Sequence, residues 1–349
     1  MITNLKHILI LTPGFPKDEN DFNCIPPLQE FLLQFKFSYA SAKVSVIAFQ
    51  YPYQQSGYTW NGIKVFPLSG KNSVIKKPFV WLQGIREARR IHKTNPITVI
   101  HSLWLGECAM IGNILSKKFN RPHICTLMGQ DVKSTNRYLR LSKNKKIRIA
   151  ALSQNQSERF LNLANRKVDN IIHWGIGDQK FRNAERDIDF LAVGSLIPLK
   201  NYSLFIRLIA ELKKSYPDLK CKLVGNGPEL TKLKTLAKEK GISENIEFTG
   251  LLSRTEIFNL MQRSKIFVHT SIFEGSGYVF AEALVNGMNI VSFNVGYAQK
   301  HPKWFIAEDD QHFVELTQEL LSTSLDHNPL NLFPLTETVE RYASIYRIK

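Results

Sequence analysis

The chain is poor in cysteine. Its 349 residues include four, Cys24, Cys108, Cys125 and Cys221, and no two of them form a C-x-x-C pair. A structural zinc site or a disulfide framework requires clustered cysteines. We therefore expect neither, and this cysteine usage suits a reducing cytosol.

Long apolar runs are missing too. No window approaches the roughly 18 consecutive apolar residues of a transmembrane helix. The run HILIL (7–11) is shorter than the apolar core of a signal peptide, so we interpret it as a first strand. With 44% hydrophobic and 22% charged residues, the composition is that of a globular protein long enough for two domains. We expect a cytoplasmic protein, with peripheral attachment to the inner membrane face as an open alternative.

Several well-known catalytic patterns are absent. No Walker A motif occurs, GNG (225–227) lacks the third glycine of a dinucleotide fingerprint, and EGSGY lacks the first glycine of G-x-S-x-G. These absences argue against a P-loop NTPase, a nicotinamide enzyme and a serine hydrolase. Asp187 and Asp189 imitate a D-x-D metal motif, but they lie at an expected domain boundary, ahead of a strand. We therefore expect no metal site.

Acidic residues are scarce in the first half of the chain. Of the net charge of +16, residues 1–178 carry +15 and residues 179–349 carry +1. A one-sided basic field favours an anionic partner, such as a membrane surface, a phosphorylated lipid or an acidic glycan. Nucleic acid is not expected, because no helix-turn-helix, zinc-finger or RNP signature accompanies the charge.

Two segments hold most of the excess charge. Lys133–Arg148 contains seven basic residues and no acid, and Lys76–Lys93 sets basic residues beside Phe79, Val80, Trp81 and Ile85. Aromatic residues next to Lys and Arg are typical of a helix at a membrane surface. We therefore predict contact with an anionic membrane through these segments, with a solvated basic face as the alternative.

Short apolar runs alternate with stretches of helical period along the whole chain. Examples are VSVIAF (44–49) and TVIHS (98–102) in the first half, and DFLAVGSL (189–196) and KIFVHTS (265–271) in the second. This alternation predicts an α/β fold with two doubly wound parallel sheets. The predicted domains are 1–178 and 179–330, and residues 331–349 form a terminal helix that returns to the first domain.

Two glutamates surround a glycine turn in SIFEGSGYVFAEALVNGMNIVSFNVG (271–296). Glu274 follows an apolar strand, Gly275 and Gly277 stand where a helix should begin, and Glu282 lies about one turn into that helix. Glycines there let a ligand approach the backbone, and the first N–H groups of a helix favour phosphate. A carboxylate at 282 can accept hydrogen bonds from the vicinal diol of a ribose.

FEGSGYVFAEAL resembles the E-x(7)-E signature of retaining glycosyltransferases of family 4, the group 1 transferases, which have the GT-B fold. FLAVGSLIPLKN, KLVGNGPEL and IIHWGIGDQKF resemble further motifs of that family. The second half of the chain matches nearly throughout, and the first half matches more loosely. The resemblance implies two Rossmann-like doubly wound domains that face a central cleft.

The resemblance also implies a role for each matching residue. Lys200 corresponds to the lysine on the donor diphosphate, Glu274 to the glutamate on the donor sugar and Glu282 to the ribose ligand. The family uses backbone N–H groups for the pyrophosphate and an N-domain glycine facing the donor, which here are Gly275, Ser276, Gly277 and Gly14. Lys200 and Glu274 are the predicted catalytic residues.

The chain departs from the family pattern at two positions. Ser195 stands where the family usually has an arginine beside the diphosphate, and it is counted among the predicted donor-binding residues. Met128 stands where relatives often carry a histidine near the donor sugar, with Asp131 retained. His101, at a strand end, is a further candidate for acceptor contact. Met128, Asp131 and His101 are therefore tentative acceptor or sugar contacts.

These residues predict a retaining, metal-independent hexosyltransferase. It would move a sugar from a UDP- or GDP-linked donor to a glycan or lipid-linked glycan in surface polysaccharide assembly, with no cofactor besides this co-substrate. Because of Ser195 and Met128, a non-catalytic protein that binds a nucleotide sugar or an anionic glycan is the alternative. A sugar-nucleotide epimerase of the same fold is disfavoured, since the E-x(7)-E context belongs to transferases.

Overall fold

The chain is described here from a computed structural model that covers residues 6–54, 56–181 and 184–348. It divides into two compact units: Met1–Gly175 together with Leu335–Lys349, and Ile176–Pro334. The changes of unit lie a few residues from the predicted limits at 178 and 330. Within the second unit, the Ile176 N–H donates to the Phe333 carbonyl (2.9 Å), so the entering and leaving chain run side by side.

The first unit is built on a sheet of eight strands among its described residues, in the order β3-β4-β2-β1-β5-β6-β7-β8. Neighbouring strands are parallel, except that β3 and β4 are antiparallel. The strands are β1 (His7–Gly14), β2 (Lys43–Tyr51), β3 (Tyr58–Trp60), β4 (Ile63–Pro67), β5 (Val99–Leu103), β6 (His123–Thr126), β7 (Ile147–Ala151) and β8 (Asn170–Ile171). The central strands β1 and β5 are buried along almost their whole length, as strands covered on both faces are.

Helices connect and cover these strands. They are α1 (Pro26–Ser38), α2 (Lys77–Thr94), α3 (Glu107–Phe119), α4 (Gln154–Ala164) and a 3₁₀ helix at Arg137–Lys143. One core joins α2 and α3 to β1, β2 and β5, with Leu9, Phe49, Val80 and Ile111 fully or almost fully buried. The strand order reverses between β1 and β5, the position at which such sheets bind ligands.

The last helix of the chain, at Leu335–Tyr346, packs in the first unit. Its Tyr342 ring lies 5.0 Å from the Phe31 ring of α1, and the Tyr342 hydroxyl accepts a hydrogen bond from Trp174 Nε1 (3.1 Å). Aromatic side chains of this size bury much apolar area while their polar tips still find partners.

The second unit has a sheet of six parallel strands among its described residues, in the order β11-β10-β9-β12-β13-β14. They are β9 (Ile188–Val193), β10 (Cys221–Val224), β11 (Ile246–Gly250), β12 (Ser264–His269), β13 (Asn289–Phe293) and β14 (Trp304–Ala307). The order reverses between β9 and β12. The prediction of two doubly wound parallel sheets is therefore confirmed, although β3, β4, β8 and β14 had not been foreseen.

The helices of the second unit are α5 (Tyr202–Leu212), α6 (Leu230–Glu239), α7 (Arg254–Gln262), α8 (Tyr278–Val285) and α9 (Asp310–Ser322), and the helix at Leu335–Tyr346 in the first unit is α10. Leu204, Phe205, Leu208 and Ile209 of α5 are buried against the sheet, on the face that their spacing predicts. Across the described ranges, no helix combines the length and the apolar character needed to cross a bilayer.

Candidate functional site

The second unit brings Lys200 and Glu274 together where its strand order reverses. Lys200 ends a 3₁₀ helix (Pro198–Lys200) that follows β9, and Glu274 lies in the loop between β12 and α8. Lys200 Nζ is 2.5 Å from Glu274 Oε1, and the two side chains are 17% and 14% exposed. Two residues 74 positions apart in sequence thus form a largely buried ion pair, at the edge where a doubly wound sheet binds its ligand.

Backbone contacts hold Lys200 in place. The Thr270 hydroxyl donates to the Lys200 carbonyl (2.8 Å), and the Ile272 N–H donates to the Leu199 carbonyl (3.1 Å). The 3₁₀ helix is therefore tied to the loop that carries Glu274, which holds the Lys200 backbone beside that carboxylate.

His269 is a third member of this cluster. It is the last residue of β12, is almost fully buried, and places Nε2 2.9 Å from Glu274 Oε1. Burial lowers the pKa of His269, although Glu274 acts to raise it. We assign a neutral ring whose Nε2–H donates to the carboxylate. The sequence interpretation missed His269, although a histidine at the carboxyl end of a parallel strand is a usable signal.

Glu274 is ionised in this setting. Burial acts to raise its pKa, but the His269 hydrogen bond and the Lys200 charge outweigh burial, and the pKa is lowered to about 2. At neutral pH the group is a fixed carboxylate that can accept hydroxyl hydrogen bonds. It cannot serve as a general acid.

Glu282 pairs with an arginine that the sequence interpretation did not identify. Arg254 Nε lies 3.1 Å from Glu282 Oε1, and the two side chains are 24% and 15% exposed. The guanidinium carbon is 4.9 Å from the Phe258 ring centroid and 5.9 Å from that of Tyr278. Arg254 thus brings a cation beside α8, although the family's arginine position holds Ser195, which is exposed.

The first turn of α7 fixes Arg254. Ser253 caps the helix in a capping box with Glu256, with the Ser253 N–H donating to Glu256 Oε2 at 2.7 Å. The motif Ser-Arg-Thr-Glu in the sequence marks this helix start. Nothing in it indicates that Arg254 would meet Glu282, because that contact is set by tertiary packing.

The glycine turn between the two glutamates has a defined shape. Gly277 has φ +69°, and a Cβ there would lie 2.6 Å from Phe280 Cε2, so only glycine fits. The Ser276 carbonyl accepts the Tyr297 N–H at 2.8 Å, and a Cβ on Gly296 would come within 2.3 Å of that carbonyl oxygen. The turn ends at the start of α8, but contact of Gly275, Ser276 and Gly277 with phosphate stays a prediction.

Close backbone packing also shapes the loop after β9. A Cβ on Gly225 would lie 1.9 Å from the Gly194 carbonyl oxygen, and one on Gly227 would lie 2.4 Å from the Leu196 oxygen. These glycines let the ends of β9 and β10 touch. The family-like glycines at 225 and 227 therefore support the loop that leads to Lys200.

Both aspartates of the D-x-D pair accept hydrogen bonds from basic side chains of the second unit. Arg263 Nε donates to Asp187 Oδ1 (2.9 Å), and Lys265 Nζ donates to Asp189 Oδ1 (2.8 Å). Because Lys265 lies on β12 and Asp189 on β9, the second contact joins two neighbouring strands.

His101 does not have the exposure that acceptor contact requires. It is fully buried in the first unit, with Nδ1 2.6 Å from the Tyr346 hydroxyl and Nε2 2.8 Å from Thr126 Oγ1. Burial lowers its pKa to about 3. The tentative contact role is therefore corrected: His101 is a neutral histidine that joins α10 to the sheet.

Asp131 organises backbone in the first unit. Its carboxylate accepts the N–H groups of Leu105 (2.7 Å), Gly129 (2.8 Å) and Met128 (3.1 Å), and it is 8% exposed. It thereby joins the loops that follow β5 and β6. The carboxylate therefore has a structural role. Because Asp131 also lines a cavity at the carboxyl edge of the first sheet, its tentative contact role stays a prediction, as does that of the half-buried Met128.

Gly14 lies buried at the end of β1, in register with Tyr51. A Cβ there would lie 3.4 Å from Cys24 Sγ, which is ordinary contact distance. The fold of the first unit therefore does not itself demand glycine at this position, and donor contact by Gly14 stays a prediction.

A cavity of about 510 Å³ opens at the carboxyl edge of the first sheet. Its lining includes Trp104, which has φ +66°, an unusual backbone conformation for a bulky residue. Lys77, Lys133 and Arg137 also line it, so the two basic segments of the sequence meet at one cavity.

Comparison with known proteins agrees with this architecture. Residues 177–322 match the family described as "Glycosyl transferases group 1". An uncharacterised glycosyltransferase of Methanocaldococcus jannaschii is 27% identical over 225 residues, which is 62% of this chain and 61% of that protein. The gpi3 subunit of the phosphatidylinositol N-acetylglucosaminyltransferase of Schizosaccharomyces pombe is 23% identical over 146 residues, 40% of this chain and 32% of that protein. The aligned regions thus span less than two thirds of either relative.

Among solved structures, Alr3699/HepE of Anabaena, in complex with UDP and glucose, superposes with a TM-score of 0.74 at 16% identity. The superposition covers 98% of this chain and 99% of that one. At this identity the likeness shows a shared fold.

Proposed function

We propose that the chain, whose residues 177–322 match the group 1 glycosyl transferases, transfers a sugar from a nucleotide-diphosphate donor to an acceptor hydroxyl. The donor is a UDP- or GDP-linked hexose, the anomeric configuration is retained, and no metal takes part. The acceptor is a glycan or lipid-linked glycan in surface polysaccharide assembly. The assignment to family 4 is part of the proposal.

One observation carries the proposal. In the unit that matches the family, a buried cluster of Lys200, Glu274 and His269 lies on one side of a glycine turn, and Glu282 with Arg254 lies on the other. Cations, fixed carboxylates and a helix start within one loop region are what a sugar attached to a diphosphate would need.

The proposed mechanism rests on electrostatics. The bond from the sugar's anomeric carbon to the phosphate oxygen breaks, and a bond to the acceptor oxygen forms on the same face, while the departing phosphate takes the acceptor proton. Lys200 and the N–H groups of the glycine turn stabilise the developing negative charge on the diphosphate. Glu274 accepts hydrogen bonds from the donor sugar, and Glu282 accepts them from the ribose.

Donor binding would redistribute the present ion pairs. Lys200 would turn from Glu274 towards the diphosphate, and the His269 hydrogen bond would still hold the Glu274 carboxylate. Arg254 is within reach of Glu282 and would supply the cation that Ser195 lacks. Because guanidinium groups bind phosphate in a bidentate manner, Arg254 is suited to the second phosphate position.

Calorimetric titration with UDP, GDP, ADP and CMP tests the site. Charge-assisted hydrogen bonds contribute roughly 1.5–3 kcal/mol each, and part of this is offset because Glu282 loses its contact with Arg254. Glu282→Ala should therefore weaken binding of the preferred diphosphate at least about tenfold. The control is Glu211→Ala, whose side chain is 54% exposed on α5 and contacts Lys214. Equal affinity in all three proteins would refute the assignment.

The second candidate, a non-catalytic binding protein, rests on the exposed Ser195 at the family's arginine position. Turnover separates the two candidates. A transferase releases the nucleoside diphosphate from its donor, whereas a binding protein retains the intact nucleotide sugar.

A further inference from the structure

The first unit exposes an apolar group at the start of α2. Val74 is 78% exposed, Ile75 92%, Phe79 66% and Leu82 55%, all within nine residues of sequence. We name this group, together with the outward face of α2, the α2 surface. Single exposed apolar residues are common in soluble proteins, but four this close together form a patch of the kind that marks an interaction site.

The apolar group continues directly into a basic stripe. Val80, Gly84, Ala88 and Ile91 are buried, so they mark the inner face of α2. With 3.6 residues per turn, the opposite face presents Phe79 and Leu82 and then, one to four turns further on, Arg86, Arg89 and Lys93, which are exposed.

Negative charge is nearly absent from this surface. Within the described part of α2, Glu87 is the acidic residue, and its carboxylate lies 2.6 Å from Arg90 Nη2. The arrangement is therefore an apolar end followed by a cationic stripe, which complements the headgroups and acyl boundary of an anionic bilayer.

The structure corrects the apolar side that the sequence predicted for this helix. Val80 is buried, Ile85 packs against the core, and Trp81 is half-buried with its Nε1 donating to Glu107 Oε2 (2.8 Å). Phe79 is the member of the predicted group that faces outward, and Val74, Ile75 and Leu82 join it.

We propose that the α2 surface docks on an anionic lipid bilayer. Val74, Ile75, Phe79 and Leu82 enter the headgroup boundary, and Arg86, Arg89 and Lys93 contact lipid phosphates. Lys77, the first residue of α2, also lines the 510 Å³ cavity, so docking places the cavity mouth beside the membrane. Delivery of a lipid-linked acceptor to this cavity rests on the proposed function, whereas docking itself does not.

Flotation of the full-length protein with lipid vesicles tests the proposal. One set of vesicles is phosphatidylcholine alone, and the other mixes it with an equal part of phosphatidylglycerol. The native protein should float with the anionic vesicles and stay at the bottom with the neutral ones. Equal behaviour with both sets would overturn the proposal.

Two variants probe the two parts of the surface. Each basic side chain near an anionic bilayer contributes about a factor of five to partitioning, so the triple variant Arg86→Gln, Arg89→Gln, Lys93→Gln should lose about 100-fold. The double variant Ile75→Ser, Phe79→Ser should lose at least about tenfold, from the apolar area it no longer buries.

Matched controls lie in the same unit. Phe37→Ser removes an aromatic ring that is 84% exposed on α1, and Lys117→Gln, Lys118→Gln, Arg121→Gln removes three exposed cations in and after α3. Both should float like the native protein, and losses equal to those of the α2 variants would overturn the proposal. Thermal melting confirms that each variant is folded.

Two further readouts separate the possible explanations. The first is binding to heparin or transfer RNA by the native protein and by the triple variant. If this binding depends on the basic stripe while Ile75→Ser, Phe79→Ser leaves flotation unchanged, the surface is a polyanion site and docking on the bilayer is overturned. Nucleotide affinity should be unchanged in both α2 variants. If no nucleotide binds even to the native protein, the proposed function fails while the flotation result keeps its meaning.

Discussion

Replacing Glu274 by glutamine should destabilise the second unit in a way that depends on pH. Glutamine keeps the size of the side chain and can still accept the His269 Nε2–H, but it leaves Lys200, which is 17% exposed, without its carboxylate. It also imitates the protonated form of Glu274. The variant should therefore have the low stability that the native protein shows only at acid pH, where Glu274 is protonated.

The magnitude follows from the pKa of Glu274. In the folded chain it is lowered from its ordinary value of 4.5 to about 2. At about 1.4 kcal/mol per pKa unit, ionisation of this group contributes roughly 3 kcal/mol to the free energy of unfolding at pH 7. Loss of one partner from a buried ion pair costs a similar amount.

The sign of the pH dependence is fixed by the direction of the shift. Because the folded pKa lies below the unfolded one, the contribution is complete above about pH 4.5 and is lost as the pH falls towards 2. The free energy of unfolding of the native protein should therefore exceed that of Glu274→Gln by roughly 3 kcal/mol at pH 7, and this difference should narrow steadily below pH 4.5.

Urea denaturation followed by circular dichroism at several pH values measures this gap. Glu211→Gln is the control, since it removes an exposed carboxylate from the same unit and should change stability by less than about 0.5 kcal/mol at any pH. A Glu274→Gln variant as stable as the native protein at pH 7, or a gap that does not change with pH, would refute the reasoning.

Three further predictions concern Gly277, Arg254 and Tyr346. Gly277→Ala puts a Cβ at φ +69° against the Phe280 ring, and it should cost about 1–3 kcal/mol in thermal melting and abolish nucleotide binding; a variant that binds normally would contradict the glycine-turn site. Arg254→Gln should weaken diphosphate binding about tenfold in calorimetry, and adding Ser195→Arg to that variant should restore the affinity. Native affinity in Arg254→Gln would show that Arg254 is not part of the site. Tyr346→Phe removes the hydroxyl that contacts His101 and should lower stability by about 1–2 kcal/mol with nucleotide affinity unchanged, whereas a loss of affinity would argue against a structural His101.

The sequence predicts the frame of the fold well because buried parallel strands are continuous apolar runs. HILIL (7–11) and KIFVHTS (265–271) correspond to the central strands β1 and β12. Tyr58–Trp60 and Asn170–Ile171 escaped prediction because strands this short, at the ends of a sheet, leave little pattern.

The sequence likewise indicates some residues of the candidate site and not others. Glu274, Glu282 and the intervening glycines are close in sequence, so their spacing alone indicates a site. Arg254 escaped prediction because its contact with Glu282 depends on how α7 packs beside α8, whereas His269 was missed although it lies five residues before Glu274 at the end of a strand. For His101 the prediction was wrong in position and in exposure: β5 continues to Leu103, so His101 lies in the middle of the strand, and α10 covers it.

The most direct test of the central claim is release of nucleoside diphosphate from UDP- and GDP-hexoses in the presence of a glycolipid extract. The native protein should release diphosphate from one donor, and Glu274→Gln should bind that donor yet release at least about tenfold less, since it loses a charge-assisted contact to the reacting sugar. Tight binding of a nucleotide sugar by the native protein, with no release under any acceptor fraction, would contradict the account and identify a binding protein.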